Sequence, residues 1–167
     1  RFVFRLREET TSLESHVFLT AKGPAQKSAD GTLSFVPEEE IEVSQDVAVG
    51  LRAGTIDALQ TLAEAAGSTE KRQALVQSMR VVVGGAAVAV VGEFVNERTR
   101  LDVEFPEGFH GVLELDRTTF PGEQIHHEVE FEVPSGIDPL KAKAAFEALF
   151  ARADVKGAAA PGKASRF

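Results

Sequence analysis

Three glutamates alternate with three apolar residues in the stretch HHEVEFEV, which spans residues 126–133. Successive side chains of a β-strand point to opposite faces, so Glu128, Glu130 and Glu132 would share one face. Like charges about 7 Å apart repel each other unless water, cations or basic side chains surround them. The stretch therefore predicts either a solvated surface or a site that holds cations.

Similar alternation of ionisable and apolar residues recurs along the chain and indicates further strands. These expected strands are RFVFRLREE (1–9), HVFLTAKGP (16–24), TLSFVPEEEIEV (32–43), ERTRLDVEF (97–105) and GVLELD (111–116). VVVGGAAVAVVGEFVN (81–96) also has strand character, although residues 80–87 fit either a strand or the end of a helix. Residues 44–80 have helical spacing, with Ser44 and Ser68 as expected N-caps and a break at Gly67. Asp138 and Pro139 indicate the start of a last helix. The pattern predicts an α+β fold with antiparallel strands.

Composition excludes several classes of protein. The 167 residues are 43% apolar, contain no cysteine and carry a net charge of −8. The absence of cysteine excludes disulfides and thiolate metal sites, and the negative charge argues against broad binding of nucleic acid. No run of residues has the length and apolarity of a membrane span. We expect a cytoplasmic protein with one domain over residues 1–167; the sequence leaves its oligomeric state open.

The charged faces of the expected strands are segregated by sign. Basic residues occur early, at Arg5, Arg7 and Lys22, and again at Arg98 and Arg100, whereas carboxylates cluster at 38–42 and 128–132. The simplest explanation is an antiparallel sheet with one solvated side. The segregation, together with helices that need an apolar surface to cover, favours a sheet that closes into a barrel with its charges inside. Such a lumen must hold water, ions or a charged ligand.

Phosphate chains are the ligands that best match this combination of charges. Guanidinium and ammonium groups bind phosphate oxygens, and clustered carboxylates bind hard divalent cations such as Mg²⁺ or Mn²⁺. Phosphoryl transfer needs mainly positioning, charge neutralisation and an oriented water. Carboxylate pairs also occur in glycosidases, but their alternation with arginines favours phosphate.

In their order along the chain, these motifs resemble the CYTH superfamily of triphosphate tunnel metalloenzymes, in particular its tripolyphosphatase-like branch. The similar segments are FRLR (4–7), LTAKGP (19–24), EEEIEV (38–43), VGEFVNERTR (91–100), LELDRTTFPG (113–122), HHEVEFE (126–132) and GKASRF (162–167). The resemblance implies an eight-stranded antiparallel β-tunnel with a charged lumen, flanked by helices. It also implies hydrolysis of inorganic triphosphate or an organic triphosphate with Mg²⁺ or Mn²⁺. From the net charge and the lack of an apolar span, we expect no nucleic-acid or membrane partner.

The resemblance also implies roles for individual residues. The phosphate chain would be held by Arg5, Arg7, Lys22, Arg98, Arg100 and Lys163. The metal ligands would be Glu128 and Glu130, with Glu132 and Asp116 beside them. Glu40 and Glu42 would bind metal or orient the attacking water, and with Lys22 they are the candidate catalytic residues. Glu114 would complete the lining.

Two departures from the family pattern leave alternatives open. The family's N-terminal Glu-x-Glu-x-Lys strand is absent from the 167 residues, and Glu38 occupies the approximate position of a basic residue. The chain begins within an expected strand and without a methionine, so we expect native residues before Arg1 that include the missing strand. The alternatives are a class IV-type adenylate cyclase, a non-catalytic module that binds polyphosphate or nucleotides, and a sheet protein without a phosphate ligand.

Overall fold

The computed structural model describes residues 2–11, 13–29, 33–67, 69–86, 88–106, 108–158 and 163. Its strands are β1 (Val3–Thr10), β2 (Ser15–Lys22), β3 (Gln26–Lys27), β4 (Ser34–Phe35), β5 (Glu38–Val43), β6 (Val95–Phe105), β7 (Phe109–Phe120) and β8 (Gln124–Phe131). Its helices are α1 (Gln45–Ala53), α2 (Ala58–Glu64), α3 (Glu70–Val83) and α4 (Pro139–Arg152). The chain divides into two compact units, unit 1 with residues 1–29 and 34–90 and unit 2 with residues 30–33 and 91–167.

The fold is α+β with antiparallel sheets, but the expected closed tunnel of eight strands is wrong. The described strands form three separate sheets, with the orders β1-β2-β5, β3-β4 and β6-β7-β8. Pro37 interrupts the expected strand 32–43, because proline cannot donate a ladder hydrogen bond, and two short pieces result. The valine-rich segment 81–96 extends α3 to Val83 and enters a strand only at Val95. The described strands therefore pair in three separate sheets and do not form one continuous ladder.

Unit 1 packs helices against one face of its three-stranded sheet. Leu6, Leu19 and Ile41 lie opposite one another on β1, β2 and β5 and form an apolar row. Leu62 of α2 and Met79 of α3 are fully buried in the same hydrophobic cluster as Leu19. Burial of this face removes apolar surface from water, which is the main favourable contribution to folding.

The helix boundaries follow capping signals in the sequence. Ser44 caps α1 by accepting a hydrogen bond from the backbone N–H of Val47, as expected. The expected break near Gly67 is confirmed, since α2 ends before it and α3 begins after it. The expected cap Ser68 lies outside the described residues, and Thr69 accepts from the Arg72 N–H to cap α3. The start of α4, with Asp138 as N-cap and Pro139 as first residue, is also confirmed.

Unit 2 has the same layered design on a smaller scale. Leu101, Leu113 and Phe131 form a row across β6, β7 and β8. Leu113 belongs to a hydrophobic cluster with Ala142 and Ala145, two fully buried residues of α4. In both units, the apolar face of the larger sheet therefore carries helices, as the alternation predicts, and the opposite face is left for the ionisable residues.

Among the described residues, the helices are all too short or too polar to traverse a lipid bilayer.

One ion pair lies on the helix-covered side of the unit 1 sheet. Arg72 of α3 donates from Nε to Oε2 of Glu39 on β5, at 3.3 Å. The side chains of Arg72 and Glu39 are only 10% and 11% exposed. The exposed Lys71 lies further from the same carboxylate, with Nζ 3.7 Å from Oε1. This buried pair links α3 to β5. Neither charge can reach water unless the helix and the sheet move apart.

We predict that Arg72→Met lowers the free energy of unfolding by about 3 kcal/mol, because it leaves the Glu39 carboxylate buried without its main partner. Urea unfolding followed by circular dichroism measures the change. Lys71→Met is the matched control, for which we expect a loss under about 1 kcal/mol, typical of an exposed pair. Equal effects of the two substitutions would contradict the structural role of Arg72.

Candidate functional site

Glu40 lies at the centre of the charged face of unit 1. Arg5, Thr20 and Glu40 lie opposite one another on β1, β2 and β5. Arg7 donates from Nη2 to Glu40 Oε1 at 2.8 Å, and the Thr20 hydroxyl donates to Oε2 at 2.5 Å. Arg5 Nη2 lies 3.8 Å from the same Oε2. Two of the four predicted phosphate-binding arginines, Arg5 and Arg7, therefore contact a predicted catalytic carboxylate.

Lys22 extends this face along β2. Its Nζ lies 2.6 Å from Oε2 of Glu38, and Arg5 Nη2 lies 3.7 Å from Oε1 of the same residue. Arg7 also pairs with Glu9, and its guanidinium lies over the ring of Phe18 at 4.9 Å from the centroid. All six of these side chains except Glu9 are partly shielded from solvent, so this face combines ion pairs with partial burial.

Glu42, the other predicted catalytic carboxylate, contacts His16 instead. His16 Nδ1 lies 2.7 Å from Glu42 Oε1, and its Nε2 lies 3.0 Å from Glu14 Oε2. The hydrogen bond to Glu42, followed by that to Glu14, raises the pKa of His16 above its ordinary 6.5. The imidazolium form is favoured in this arrangement because two carboxylates face the two ring nitrogens.

The charged face of unit 2 consists of two rows across its sheet. One row joins Arg98, Asp116 and Glu128, and the next joins Arg100, Glu114 and Glu130. Opposite charges face each other across β6 and β7, at Arg98–Asp116 and Arg100–Glu114. Across β7 and β8, two carboxylates face each other in each row, at Asp116–Glu128 and Glu114–Glu130. The six residues come from three strands, and Lys163 joins them from the end of the chain.

Asp116 is the most buried member of this group. Arg98 binds it with two hydrogen bonds of 2.7 Å, from Nε to Oδ1 and from Nη2 to Oδ2, and Lys163 donates to Oδ2 at 2.7 Å. Its side chain has no exposed surface. Burial alone would raise the pKa of Asp116, but the hydrogen bonds from Arg98 and Lys163 outweigh it and hold the pKa well below its usual range. The carboxylate is therefore ionised.

Lys163 binds three carboxylates at once. Its Nζ lies 2.7 Å from Asp116, 3.2 Å from Glu128 and 2.9 Å from Glu130. Burial lowers the pKa of Lys163, but the hydrogen bonds to Asp116 and Glu130 raise it further, and the net change is upward. The ammonium group thus occupies a position where three carboxylate oxygens converge.

Arg98 is the second cation at the centre of the group. Besides Asp116, it pairs with Glu114 and donates from Nη2 to Glu130 Oε2 at 2.8 Å. Its hydrogen bonds to Asp116 raise the pKa of Arg98 against the effect of burial. Arg100, which is largely exposed, donates to Glu114 at 3.0 Å.

The group as a whole is slightly acidic, and four of its seven side chains are poorly solvated. We call it the unit 2 ion-pair cluster; its members are Arg98, Arg100, Glu114, Asp116, Glu128, Glu130 and Lys163. Four carboxylates and three cations give a net charge of −1. The side chains of Glu114, Glu128 and Lys163 are only 10%, 12% and 14% exposed. A merely solvated sheet face would leave such charges in water, so this explanation does not account for the cluster.

The cluster has the right donors for a hard divalent cation but not the arrangement of a resident metal site. Carboxylate oxygens are the ligands that Mg²⁺ and Mn²⁺ prefer. In the part of the chain that the structure describes, however, no group of three or more His, Asp or Glu side chains is placed to hold a metal ion. The oxygens of Asp116, Glu128 and Glu130 converge on the Lys163 ammonium instead.

The predicted site residues thus form two groups, one in each unit. Glu132 does not extend the predicted metal set along β8, because the strand ends at Phe131. It lines a cleft of about 610 Å³ with Asp102, His110 and Glu114. Of the predicted closing segment 162–167, only Lys163 belongs to the described residues.

Sequence reasoning missed three uncharged members of these faces. Thr20 donates to Glu40, and Thr118 donates to Asn96 Oδ1 at 2.6 Å. The side chain of Asn96 in turn hydrogen-bonds Asp116. All three lie on the same face of their strands as the neighbouring charged residues, so alternation of side chains along the strand could have identified them. They were missed because only the charged residues of these faces were considered.

We predict that the pKa of His16, measured by NMR titration, lies above 6.5 and that Glu42→Gln lowers it, because a neutral amide no longer favours the imidazolium. Since the folded-state pKa is raised, the stability that this contact contributes is present below pH 6.5 and is lost as pH rises through the folded-state value. Glu147→Gln on α4 is the control and leaves the His16 titration unchanged. An unaltered titration in Glu42→Gln would refute the contact.

We predict that Asp116→Asn lowers the free energy of unfolding by about 2 kcal/mol, because it weakens the bonds that satisfy two partly buried cations. Urea unfolding again provides the measurement. Asp102→Asn is the matched control on β6, where the carboxylate is exposed, and we expect almost no change for it. A stability unaffected by Asp116→Asn would show that Arg98 and Lys163 do not depend on this carboxylate.

Comparison with known proteins adds no assignment. No protein-family model matches the sequence, and no curated protein is significantly similar to it. The resemblance to triphosphate tunnel metalloenzymes therefore rests on the motifs of this sequence alone.

Proposed function

We propose that this chain hydrolyses an inorganic or organic triphosphate, which it binds as a complex with Mg²⁺ or Mn²⁺. This activity is the one that the resemblance implies, and the divalent cation is here part of the substrate. The proposed activity does not depend on a closed tunnel, because the unit 2 groups on which it rests lie on one face of one sheet.

The observation that carries the proposal is the burial of the unit 2 ion-pair cluster. Buried ion pairs contribute little to net stability, because desolvation of the charges offsets their attraction. A sheet face that needed only to be covered could use apolar residues, as the opposite face does with Leu101, Leu113 and Phe131. So many positive and negative side chains on one face are better explained by a ligand that itself carries both positive and negative charge.

A phosphate chain with its cation can exchange partners with this cluster. Its oxygens would replace carboxylates as partners of Arg98, Arg100 and Lys163, and the released Glu128 and Glu130 would contact the cation. Each charge then keeps an opposite neighbour throughout, so the exchange avoids the cost of an isolated buried charge. Glu130, whose side chain is 43% exposed, is the carboxylate best able to move.

The net charge of the cluster explains why a cation is needed. With four carboxylates against three cations, the face would repel a bare polyanion. A triphosphate that carries Mg²⁺ or Mn²⁺ has a smaller negative charge and offers positive charge to the carboxylates. Binding should therefore require the divalent cation even without a resident metal site.

Hydrolysis would follow from positioning and charge neutralisation. The basic side chains would hold the chain, and one released carboxylate, best represented by Glu130, would accept a proton from the attacking water. Attack on the terminal phosphorus forms one P–O bond and breaks the bridging P–O bond, so triphosphate and water yield diphosphate, phosphate and a proton. Lys163 and Arg98 would offset the charge that develops on the leaving oxygen.

The charged face of unit 1 has a corresponding assignment. Arg5, Arg7 and Lys22 would hold phosphate oxygens, and Glu40 and Glu42 would contact the cation or orient water. Glu40 already accepts hydrogen bonds from the Arg7 guanidinium and the Thr20 hydroxyl. The face carries both signs of charge, as the exchange of partners requires.

A second candidate function is binding of a triphosphate or nucleotide without turnover. It is favoured by the position of the Lys163 ammonium, which engages Asp116, Glu128 and Glu130, the carboxylates that hydrolysis would need. Binding uses the same exchange of ion pairs but needs no catalytic carboxylate, so the two functions differ in chemistry and not in ligand.

We predict that the chain releases phosphate from tripolyphosphate or ATP in the presence of Mg²⁺ or Mn²⁺, and that EDTA abolishes the release. A phosphate assay measures the rate. Glu130→Gln should lower kcat by about 10²-fold, the typical contribution of a general base. Glu147→Gln, on the exposed side of α4, is the control and should retain the full rate.

Three other outcomes would change the assignment. Formation of cyclic AMP from ATP would identify a cyclase. Calorimetric binding of tripolyphosphate without turnover would identify the binding module. An absence of both binding and turnover, with either cation, would refute a phosphate ligand altogether.

A further inference from the structure

The outer edge of β6 is long and regular. β6 lies at one end of the sheet order β6-β7-β8, and within the described ranges no strand pairs with its outer edge. Its 11 residues keep one continuous register with β7, from Val95 to Phe105, without a bulge. The backbone N–H and C=O groups along such an edge can form hydrogen bonds with another strand.

Most of the features that protect an edge strand from pairing are absent from β6. Natural sheets protect their edges with short strands, proline, bulges or charged side chains. β6 contains no proline, and it is about twice as long as a typical strand. Charged side chains remain as the protection, and every residue from Glu97 to Asp102 is exposed. Whether β6 pairs with another strand therefore depends on the order of its charges.

The charges on the ionisable face of β6 change sign halfway along the strand. Arg98 and Arg100 come first, and Asp102 and Glu104 follow. Both arginines pair with Glu114 on β7. Asp102 and Glu104 are exposed and, as far as the described residues extend, have no ion-pair partner. Two antiparallel copies of such a strand can place the basic half of each copy beside the acidic half of the other.

One register brings all of these opposite charges together. When Leu101 of one copy lies opposite Leu101 of the second, Arg100 lies opposite Asp102. Arg98 then lies opposite Glu104, and two-fold symmetry repeats both pairs. A shift of two residues in either direction places Arg100 opposite Arg100 or Asp102 opposite Asp102. Since facing opposite charges stabilise a strand pair and like charges destabilise it, the register centred on Leu101 is favoured.

We propose that β6 pairs with β6 of a second copy of this chain, antiparallel and centred on Leu101. The pairing joins two three-stranded sheets into one continuous sheet, with both unit 2 ion-pair clusters on the same face. The two Leu101 side chains, each 44% exposed in the single chain, meet on the opposite face at the two-fold axis. This dimer does not depend on the proposed hydrolysis, because pairing along the strand edge requires no phosphate ligand.

Sedimentation equilibrium of the full chain tests the inference. The unsubstituted chain should form dimers as its concentration rises. Asp102→Lys should weaken dimerisation on the order of tenfold, because it places a lysine opposite Arg100 in both symmetric pairs. Glu147→Lys makes the same change of charge on α4, away from β6, and should dimerise like the unsubstituted chain. Circular dichroism checks that both variants are folded.

A single cysteine tests the register. The chain has no cysteine, so Leu101→Cys introduces one thiol in each copy. In the proposed register these residues face each other with Cα atoms about 5 Å apart, within the range of a disulfide, and mild oxidation should cross-link the dimer. Thr99→Cys is the matched control, because Thr99 lies opposite Val103 and its two copies are about 14 Å apart along the strands.

Three results would overturn the inference. The first is a chain that remains monomeric at every concentration. The second is a dimer whose affinity is unchanged by Asp102→Lys, and the third is equal cross-linking of Thr99→Cys and Leu101→Cys. Either of the last two would place the contact between copies outside the proposed register. Leu101 and Asp102 are exposed, so their variants are expected to fold.

Discussion

The buried carboxylate of Asp116 imposes the strictest constraint on unit 2. An ionised group with no solvent contact must be fully compensated, and Arg98 from the neighbouring strand and Lys163 from the end of the chain provide that compensation. The register between β6 and β7 follows from this need as much as from the apolar face, because a slip of one residue would turn Arg98 away from Asp116. Charge pairing and hydrophobic burial thus specify the same alignment.

The two units use one principle with different degrees of burial. In unit 1 the charged face retains solvent access, with Arg7 and Glu40 each 31% exposed, and the buried pair Arg72–Glu39 lies on the other face, between helix and sheet. In unit 2 the buried charges are those of the ionisable face itself. The Arg72–Glu39 pair of unit 1 is therefore part of the packing between helix and sheet. The unit 2 cluster lies on a sheet face whose packing does not require charged residues.

Local features of the fold could be read from the sequence, but the pairing of distant strands could not. Alternation with a period of two placed Arg5, Glu40, Arg98 and Glu130 on ionisable faces, and capping signals placed the starts of α1 and α4. Whether sheets close into a barrel depends on which strand edges meet, and edges look alike in sequence. The valines at 81–83 favour strands by propensity, yet they continue α3 up to Gly84, where Val83 packs against the cluster that contains Val76 and Met79.

Selection for stability alone does not account for the unit 2 ion-pair cluster. Apolar residues of similar volume often stabilise a protein as well as a buried ion-pair network, or better, so a face chosen for folding has no reason to keep four carboxylates and three cations. Functional sites commonly retain such costly arrangements, and the cost is met by the rest of the fold. Here the helix-covered apolar faces supply that stability, which leaves the ionisable faces available for a ligand.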